Sequence, residues 1–479
     1  MKLVLPSTSI LILLAFCIGC GLRPGKSQLR EAPYSALAIA QNQSASSDST
    51  TVTEWPKEDW WRIFGDEQLN TLICKAISSN PQMTIAKARV QIAGAQFRKE
   101  RAPLFPDFNG SGDYTRIRAS KNGIFGLLPG FPLSYTQPEL MLNFNYEFDF
   151  WKKHTNLINA AIDEVEARAA EAYLTRLILA VSVADTYFQL QTSHLRLEIA
   201  NELIQIRKKN VELTLLRRQH ALDNDWDVNR AKTAQLVAYQ FYEEVFEDLT
   251  TNKNELQAYL AEDFSTEVVP VDISIGLTEP FPIPETLPID LLCHRADVWA
   301  ARWRVEAAAR QICVARANFY PNINLVGFIG LQTIFPSKLF DSNSVFGSIG
   351  PAFHLPIFDG GLLSAEYDAR IQEYRMSVAE YDQIVLDAVK EVLNALAILT
   401  STHELYLIAK AGEQVAKDSF DLAQKRLANQ LNSRLDVLNY ENDWLQSRDI
   451  YLRSLLGSLE ARLELFRALG GGYGYCCEE

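Results

Sequence analysis

The chain has 479 residues, 48% of them hydrophobic, a formal net charge of −13 and a mean hydropathy of −0.08. The acidic balance argues against nucleic acid, whose binders carry basic faces, and it identifies no ligand. After the first twenty residues no apolar run reaches the ~18 residues of a membrane-spanning helix, but a β-barrel stays open, because its alternating strands average out in hydropathy.

Met1-Lys2 and the apolar run from Leu3 to Phe16 have the make-up of an export signal. The run ends in Cys17-Ile18-Gly19-Cys20. A small residue just before a cysteine resembles a bacterial lipobox, in which the cysteine becomes the lipidated first residue. Cys20 fits because Gly19 precedes it. Cys17 has Leu14 at the right distance but bulky Phe16 before it. Residues 1–19 are therefore expected to be a signal peptide, with Cys20 lipidated. Residues 20–53, rich in Ser, Gln, Ala and Thr, carry too little apolar surface to fold alone and read as a flexible tether.

The rest of the chain is duplicated. Arg101-Ala-Pro-Leu-Phe-Pro-Asp-Phe-Asn109 and Arg316-Ala-Asn-Phe-Tyr-Pro-Asn-Ile-Asn324 match at a constant offset. At that same offset Ala86, Arg89, Val90, Ala93 and Gln96 recur as Ala301, Arg304, Val305, Ala308 and Gln311. Further on, Leu213, Arg217, Asp227 and Val228 recur as Leu422, Arg426, Asp436 and Val437. Two structural repeats, 54–270 and 271–470, are expected, with a disordered tail over 471–479. Length alone would suggest about three domains; the duplication favours one elongated unit.

Each repeat reads helix, strand, strand, long helix, turn, medium helix. In the first, a helix over about 82–102 is ended by Pro103 and Pro106. A strand near 107–116 alternates Asp107, Asn109, Ser111 and Asp113 against Phe108, Gly110, Gly112 and Tyr114. The Gly/Pro-rich run from Lys121 to Pro132 lacks the setting of a phosphate loop and reads as a hairpin tip.

Leu140 to Phe150 then alternates with a period of two. One side is Leu140, Leu142, Phe144, Tyr146, Phe148 and Phe150; the other is Met141, Asn143, Asn145, Glu147 and Asp149. That is a strand between two different solvents. At ~3.3 Å per residue and a tilt of ~45°, it spans about 25 Å, the height of an outer-membrane barrel's apolar band. An edge strand of a soluble sandwich would show the same alternation. The neighbouring segment decides against it: from Lys152 roughly seventy residues lack proline and glycine, a helix of ~105 Å that no ordinary globular domain holds. In this helix, about 152–221, Ala170, Leu174, Leu177, Val181, Ala184 and Phe188 form a coiled-coil seam. A turn at His220–Asp227 leads to a return helix over 228–262.

The second repeat has a helix over 296–317, strands near 322–332 and 348–358, and a long helix over about 362–430. A turn at Asn432–Leu435 precedes a last helix ending at Ala468. In each repeat the short first helix and the return helix together nearly match the long helix, so stacked end to end they form a second column beside it. Cys74, Cys293 and Cys313 fall in helical patterns and read as small buried or half-buried side chains. No cysteine pair has zinc-site spacing against a second pair or a histidine pair, and the histidines are dispersed, so neither metal nor cofactor is expected. Cys476 and Cys477 carry no assigned role.

Four strands cannot close a barrel, and open edges are not tolerated in hydrocarbon. Two chains would give an eight-stranded barrel filled by its own side chains, and three a twelve-stranded barrel with room for a channel. A conduit favours three.

Specific motifs point the same way. They are Trp60-Trp61-Arg-Ile-Phe-Gly-Asp66-Glu-Gln-Leu69 through Asn80-Pro81; Leu287-Pro-Ile-Asp-Leu-Leu-Cys-His-Arg295-Ala-Asp-Val298; Phe319-Tyr320-Pro321; Pro356-Ile-Phe-Asp-Gly-Gly361; and Leu435-Asp436-Val437-Leu438. Over about 54–470 the chain resembles the outer-membrane efflux factors (the TolC/OprM-like family), especially their lipoprotein branch in RND-type systems. Two departures stand out: Ala296 replaces a usual proline, and Ala221 and Gln430 replace glycines before the two turns.

The resemblance implies a mainly α protein with a membrane β-barrel: a trimer with a twelve-stranded barrel in the outer membrane on a long α-helical barrel in the periplasm. It implies a periplasmic adaptor and an inner-membrane pump as partners, outer-membrane lipid around the barrel, no catalytic residues and transport energy supplied by the pump.

From the residues themselves, Asn143, Asn145, Glu147, Asp149, Asn322 and Asn324 are lumen-facing candidates, and Leu142, Phe144, Tyr146, Phe148 and Phe150 lipid-facing ones. Asp223, Asp225 and Asp227 crowd one turn, near Arg217 and Arg218, with Arg426 and Arg434 at the matching turn. A symmetry-repeated ring of carboxylates is a selectivity constriction that arginines could hold shut; helix N-caps explain Asp at turns equally well. By resemblance Asp227 takes part in gating contacts, and Arg434 aligns approximately. The leading function is a passive export duct for drugs or other small toxic compounds. The alternatives are the exit duct of a type I protein secretion system and a non-channel coiled-coil envelope lipoprotein, which leaves the aromatic strands unexplained.

Overall fold

The computed structural model describes residues 58–123, 129–130, 132–261 and 294–473. Cys17, Cys20, Cys293, Cys476, Cys477 and the tether therefore lie outside the described residues. After a 3-10 turn at Trp60–Phe64 come α1 (Glu67–Ser79), α2 (Pro81–Arg101), β1 (Asp107–Arg118), β2 (Ser134–Glu147), α3 (Lys153–Gln219) and α4 (Asp225–Leu260). The order then recurs as α5 (Ala296–Ala317), β3 (Asn322–Gln332), β4 (Val345–His354), α6 (Leu362–Ala428) and α7 (Arg434–Ala468).

Local chemistry sets the boundaries. Asp66 caps α1 by accepting from the amides of Gln68 and Leu69, and Asn80 caps α2 ahead of Pro81, which needs no hydrogen-bonded amide at a first helical position. α3 and α6 are each 67 residues long, about 100 Å at ~1.5 Å per residue. The seam residues Ala170, Leu177, Val181, Ala184 and Phe188 are all buried. Ala170 packs with Ala296, Trp299 and Ala300 of α5, and the other four pack with Trp60, Trp61, Leu69, Ile73, Leu256, Leu463 and Phe466, so the first turn and the ends of α4 and α7 converge on the middle of α3. Within that convergence Asp185 is pushed up to about 6 by burial and by the carboxylates of Glu460, Glu255 and Glu464.

The end-to-end columns are present. Asn80 Nδ2 donates to the carbonyl of Tyr259, and Ser79 Oγ to that of Leu260, joining the α1–α2 corner to the end of α4. At the equivalent corner Arg295 donates to the carbonyl of Ala468 at the end of α7, while pairing with Asp297 and Glu391. Each corner thus satisfies the last carbonyls of its return helix, which a helix end leaves open.

The strands form one antiparallel sheet in the order β1-β2-β3-β4. Three expectations are corrected here. β2 runs over Ser134–Glu147 rather than 140–150, so Phe148, Asp149 and Phe150 follow the strand, although Phe148 still donates its amide to Ile323. β4 is Val345–His354 rather than 348–358. Cys74 and Cys313 are exposed rather than buried: each helix turns its neighbours inward, Ile73 in one case and Val314 in the other.

Both long helices are rooted in the sheet by an aspartate. Asp149 accepts from the amides of His154 (3.0 Å) and Thr155 (2.8 Å) and from the Thr155 hydroxyl (2.6 Å). Burial acts to raise its pKa, but the hydrogen bonds from Thr155 and His154 outweigh it and hold the carboxyl below its usual range. Asp359 does the same for α6 through the amides of Gly361 and Leu363. The link is not identical, since Lys152 takes φ 56° before α3 whereas Gly360 and Gly361 take φ 70° and 93° before α6.

Candidate functional site

Two regions carry function-bearing chemistry: the sheet and the two helix–helix tips. In an antiparallel sheet, residues directly opposite share a face, so the register sorts every strand position. One face holds Phe108 and Tyr114 of β1, Leu140, Leu142, Phe144 and Tyr146 of β2, Ile323, Leu325, Ile329 and Leu331 of β3, and Val345, Ile349 and Phe353 of β4. Phe108 and Phe144 touch across strands at 5.3 Å. These apolar side chains are exposed or half-buried; Phe353 is 81% exposed and Ile349 74%.

The other face holds Asp107, Asn109, Ser111, Asp113, Gln137, Glu139, Asn143, Asn145, Glu147, Asn322, Asn324, Gln332 and His354. It is laced laterally: Asn143 donates to Ser111 Oγ at 3.4 Å, and Gln332 to Glu139 at 2.9 Å. Ile117, Met141, Val326, Phe328 and Phe346 interrupt it. Every carboxylate of the four strands lies on this face.

The lumen-facing candidates Asn143, Asn145, Glu147, Asn322 and Asn324 are brought together on the polar face, and Leu142, Phe144 and Tyr146 on the apolar one. Asp149 is not: it shares the parity but spends both oxygens on the first turn of α3. Glu147 lies at the foot of that helix, 3.1 Å from His154 and 3.7 Å from Lys153. Phe148 and Phe150, beyond the strand, stack with centroids 5.6 Å apart, and Tyr146 meets Phe148 edge-on. Beside them Trp151 stacks on Tyr320 at 4.6 Å and donates its indole N–H to the Pro321 carbonyl. The foot of the sheet is thus an aromatic belt with polar handles, the composition of a membrane interface. Composition did not reveal the Trp151–Tyr320 pair, because its members are far apart in sequence.

Both tips share one frame. At the first, Ala221 takes φ 58° and the amide of Leu222 returns to the carbonyl of Arg217; at the second, Gln430 takes φ 59° and Leu431 returns to Arg426. This is a helix stop normally made by glycine. Asn224 and Asp227 then form a reciprocal capping box at the start of α4, and Ser433 and Asp436 form one at the start of α7. The Ser433 hydroxyl and amide hold the Asp436 carboxyl below its usual range.

Charges decorate this frame unequally. Arg217 grips Asp223 through two hydrogen bonds of 2.9 and 3.0 Å, and Arg218 pairs with Asp225 at 2.7 Å. At the second tip Arg426 reaches only the amide oxygen of Asn432, at 3.0 Å. Arg434 is exposed and, among the described residues, makes no ion pair within the protomer. Asp227 and Arg434 are therefore not joined in one chain.

The sequence model described as "Outer membrane efflux protein" matches residues 72–262 and 287–471. The chain belongs to the outer membrane efflux protein family. Among relatives, the multidrug resistance outer membrane protein MdtQ of Escherichia coli is 30% identical over 464 residues, covering 91% of this chain and 93% of that one. The fusaric acid resistance protein FusA of Burkholderia cepacia is 32% identical over 375 residues, 77% of this chain and 69% of FusA. Among solved structures, the outer membrane protein VceC of Vibrio cholerae shares 31% identity at a TM-score of 0.77, covering 88% of this chain and all of VceC. The CmeC outer membrane channel of Campylobacter jejuni shares the fold at a TM-score of 0.81 and 22% identity, over 90% of this chain. This outer membrane efflux protein has two long helices and four strands, the strands forming one sheet with a polar and an apolar face.

Proposed function

We propose that the chain is the outer-membrane duct of a tripartite efflux assembly, a passive conduit for drugs or other small toxic compounds. The observation that carries this reading is the sheet: two chemically opposite faces, and outer edges on β1 and β4 that have no strand partner among the described residues. Unpaired edges are too costly in hydrocarbon. Three copies would join β1 of one chain to β4 of the next in a twelve-stranded barrel, with Leu142, Phe144 and Tyr146 toward lipid and Asn143, Asn145 and Glu147 toward water. The long helices would continue it into the periplasm, Cys20 would carry a lipid anchor, and a periplasmic adaptor and an inner-membrane pump, of RND type, would supply engagement and energy.

The tips would be its closed end, with Asp227 of one chain facing Arg434 of another. The names of MdtQ and FusA support drug-like cargo. Planar-bilayer recording of the purified protein tests the duct: discrete conductance steps are expected, and a chain that inserts without conducting would overturn it. Deletion in the producing bacterium is expected to raise accumulation of small toxic compounds.

A further inference from the structure

Among the charged residues of the strands, sign follows face. Asp107, Asp113, Glu139 and Glu147 all stand on the polar face, whereas Arg116 and Arg118 stand on the apolar one, in line with Phe108 and Tyr114. Arg116 lies opposite Thr136 and Arg118 opposite Ser134, with no carboxylate on that face beside them. Both arginines are exposed, and among the described residues neither makes an ion pair. Between Asp113 and Glu139 the sequence carries Arg116, Arg118 and Lys121 and no carboxylate, in a chain whose net charge is −13. Unpaired, exposed cations at one end of an otherwise apolar face are available to a counter-charge from outside the chain.

Height fixes where that counter-charge lies. Along a strand of ~3.3 Å per residue tilted by ~40°, Arg116 and Arg118 stand roughly 20–25 Å above Phe108, the upper limit of the apolar band. Tyr114 lies one step below them, as an interfacial tyrosine does. The aromatic belt of Phe148, Phe150 and Trp151 marks the opposite limit, nearest the helices.

We propose that Arg116 and Arg118, with Lys121 beside them, form a rim that binds the anionic phosphate headgroups of lipids in the leaflet farther from the helices. Guanidinium groups suit this role because their fork of donors matches phosphate oxygens. The inference rests on the membrane-duct reading above.

The test uses the full-length protein in nanodiscs of phosphocholine lipid doped with a bis-phosphorylated glycolipid (lipid A) or, separately, with phosphatidylglycerol. Native mass spectrometry then counts retained anionic lipid. Wild type is expected to retain the glycolipid more strongly than the phosphocholine lipid. Arg116→Gln and Arg118→Gln are each expected to weaken retention about fivefold, and the double variant roughly thirtyfold at low salt, with smaller losses at high salt. Lys152→Gln, at the opposite end of the sheet, should leave retention unchanged. Equal retention by wild type and the double variant would overturn the proposal, as would an equal loss in Lys152→Gln. Retention of phosphatidylglycerol in place of the glycolipid, lost in the same arginine variants, would support the rim and make a single phosphodiester its ligand. Conductance of the same preparations separates the two readings: a conducting protein without lipid selectivity sinks only the rim, whereas one that never inserts sinks the duct.

Discussion

The two tips share a backbone and differ in charge. Helix stop, positive-φ residue, exposed leucine (Leu222 or Leu431) and capping box recur in the same order, so these features are what any such turn needs to hold its shape. Where the first tip places Asp225 at the start of α4, paired with Arg218, the second places Arg434 at the start of α7. An acid suits a helix N-terminus and a cation does not, by about 0.3–1 kcal/mol at an exposed site. The second tip therefore tolerates a locally unfavourable charge that, among the described residues, makes no close ion pair and feels Glu441 only at longer range. The lesson is that frame and charge are separable: capping accounts for Asp227 and Asp436 alike, but it leaves Arg434 unexplained.

That contrast can be broken by mutation. The largest effect is expected from Arg434→Ala, which should raise single-channel conductance in planar bilayers severalfold; an unchanged conductance would leave the charge without a gating role. Asp227→Ala should do the same, whereas Asp436→Ala, which removes an equivalent box, should not. Equal behaviour of the two aspartates would reduce Asp227 to a cap. Both variants should also loosen their first helical turn by about 1 kcal/mol, read as faster amide exchange.

A third expectation exploits the non-glycine residues at φ 58° and 59°. Ala221→Gly and Gln430→Gly should each stabilise the tip by about 1 kcal/mol, since only the native side chains pay for a left-handed backbone. Slower amide exchange at Leu222 and Leu431 would check it. The smallest effect concerns pH. Asp436 is held below its usual range in the folded chain, so its contribution is complete above the unfolded value of about 3.9 and fades only as pH falls through the lower folded value. Protection of the Asp436 and Val437 amides should hold from neutrality to about pH 4 and weaken below it.

Much of this was legible in the sequence because the signals were long or paired. The proline-free run gave α3, the seam gave its buried side, and the offset repeat gave the second set of elements. The first part of β2 was not legible: Thr136, Gln137, Pro138 and Glu139 show no apolar alternation, and a proline argues against an inner strand. Pro138 is accommodated at the end of the β2–β3 ladder: its carbonyl still accepts from the Thr333 amide, and the amide it lacks would face past Gln332, the last paired residue of β3. Phe148 and Phe150 extended the alternation past the strand because a membrane-interface belt and a barrel wall use the same residue types. Asp149 matched the polar parity by position while its carboxylate served a helix. The tip acids were visible as a cluster, but the sequence alone could not separate a pair within the turn, such as Arg217 with Asp223, from a charge without a close ion pair among the described residues, such as Arg434.

One junction has a mechanical consequence. α3 leaves the sheet through a lysine in a left-handed bend, clamped by Asp149 and braced by Trp151 against Tyr320, whereas α6 leaves through two consecutive glycines. Torque applied at the far ends will not be shared equally: an aspartate and an aromatic stack hold the first root, whereas Asp359 alone holds the second, across two glycines. In the duct proposed above, a twist applied at the tips would then pass into α6 before α3, leaving the strands at the foot of α3 under the least load.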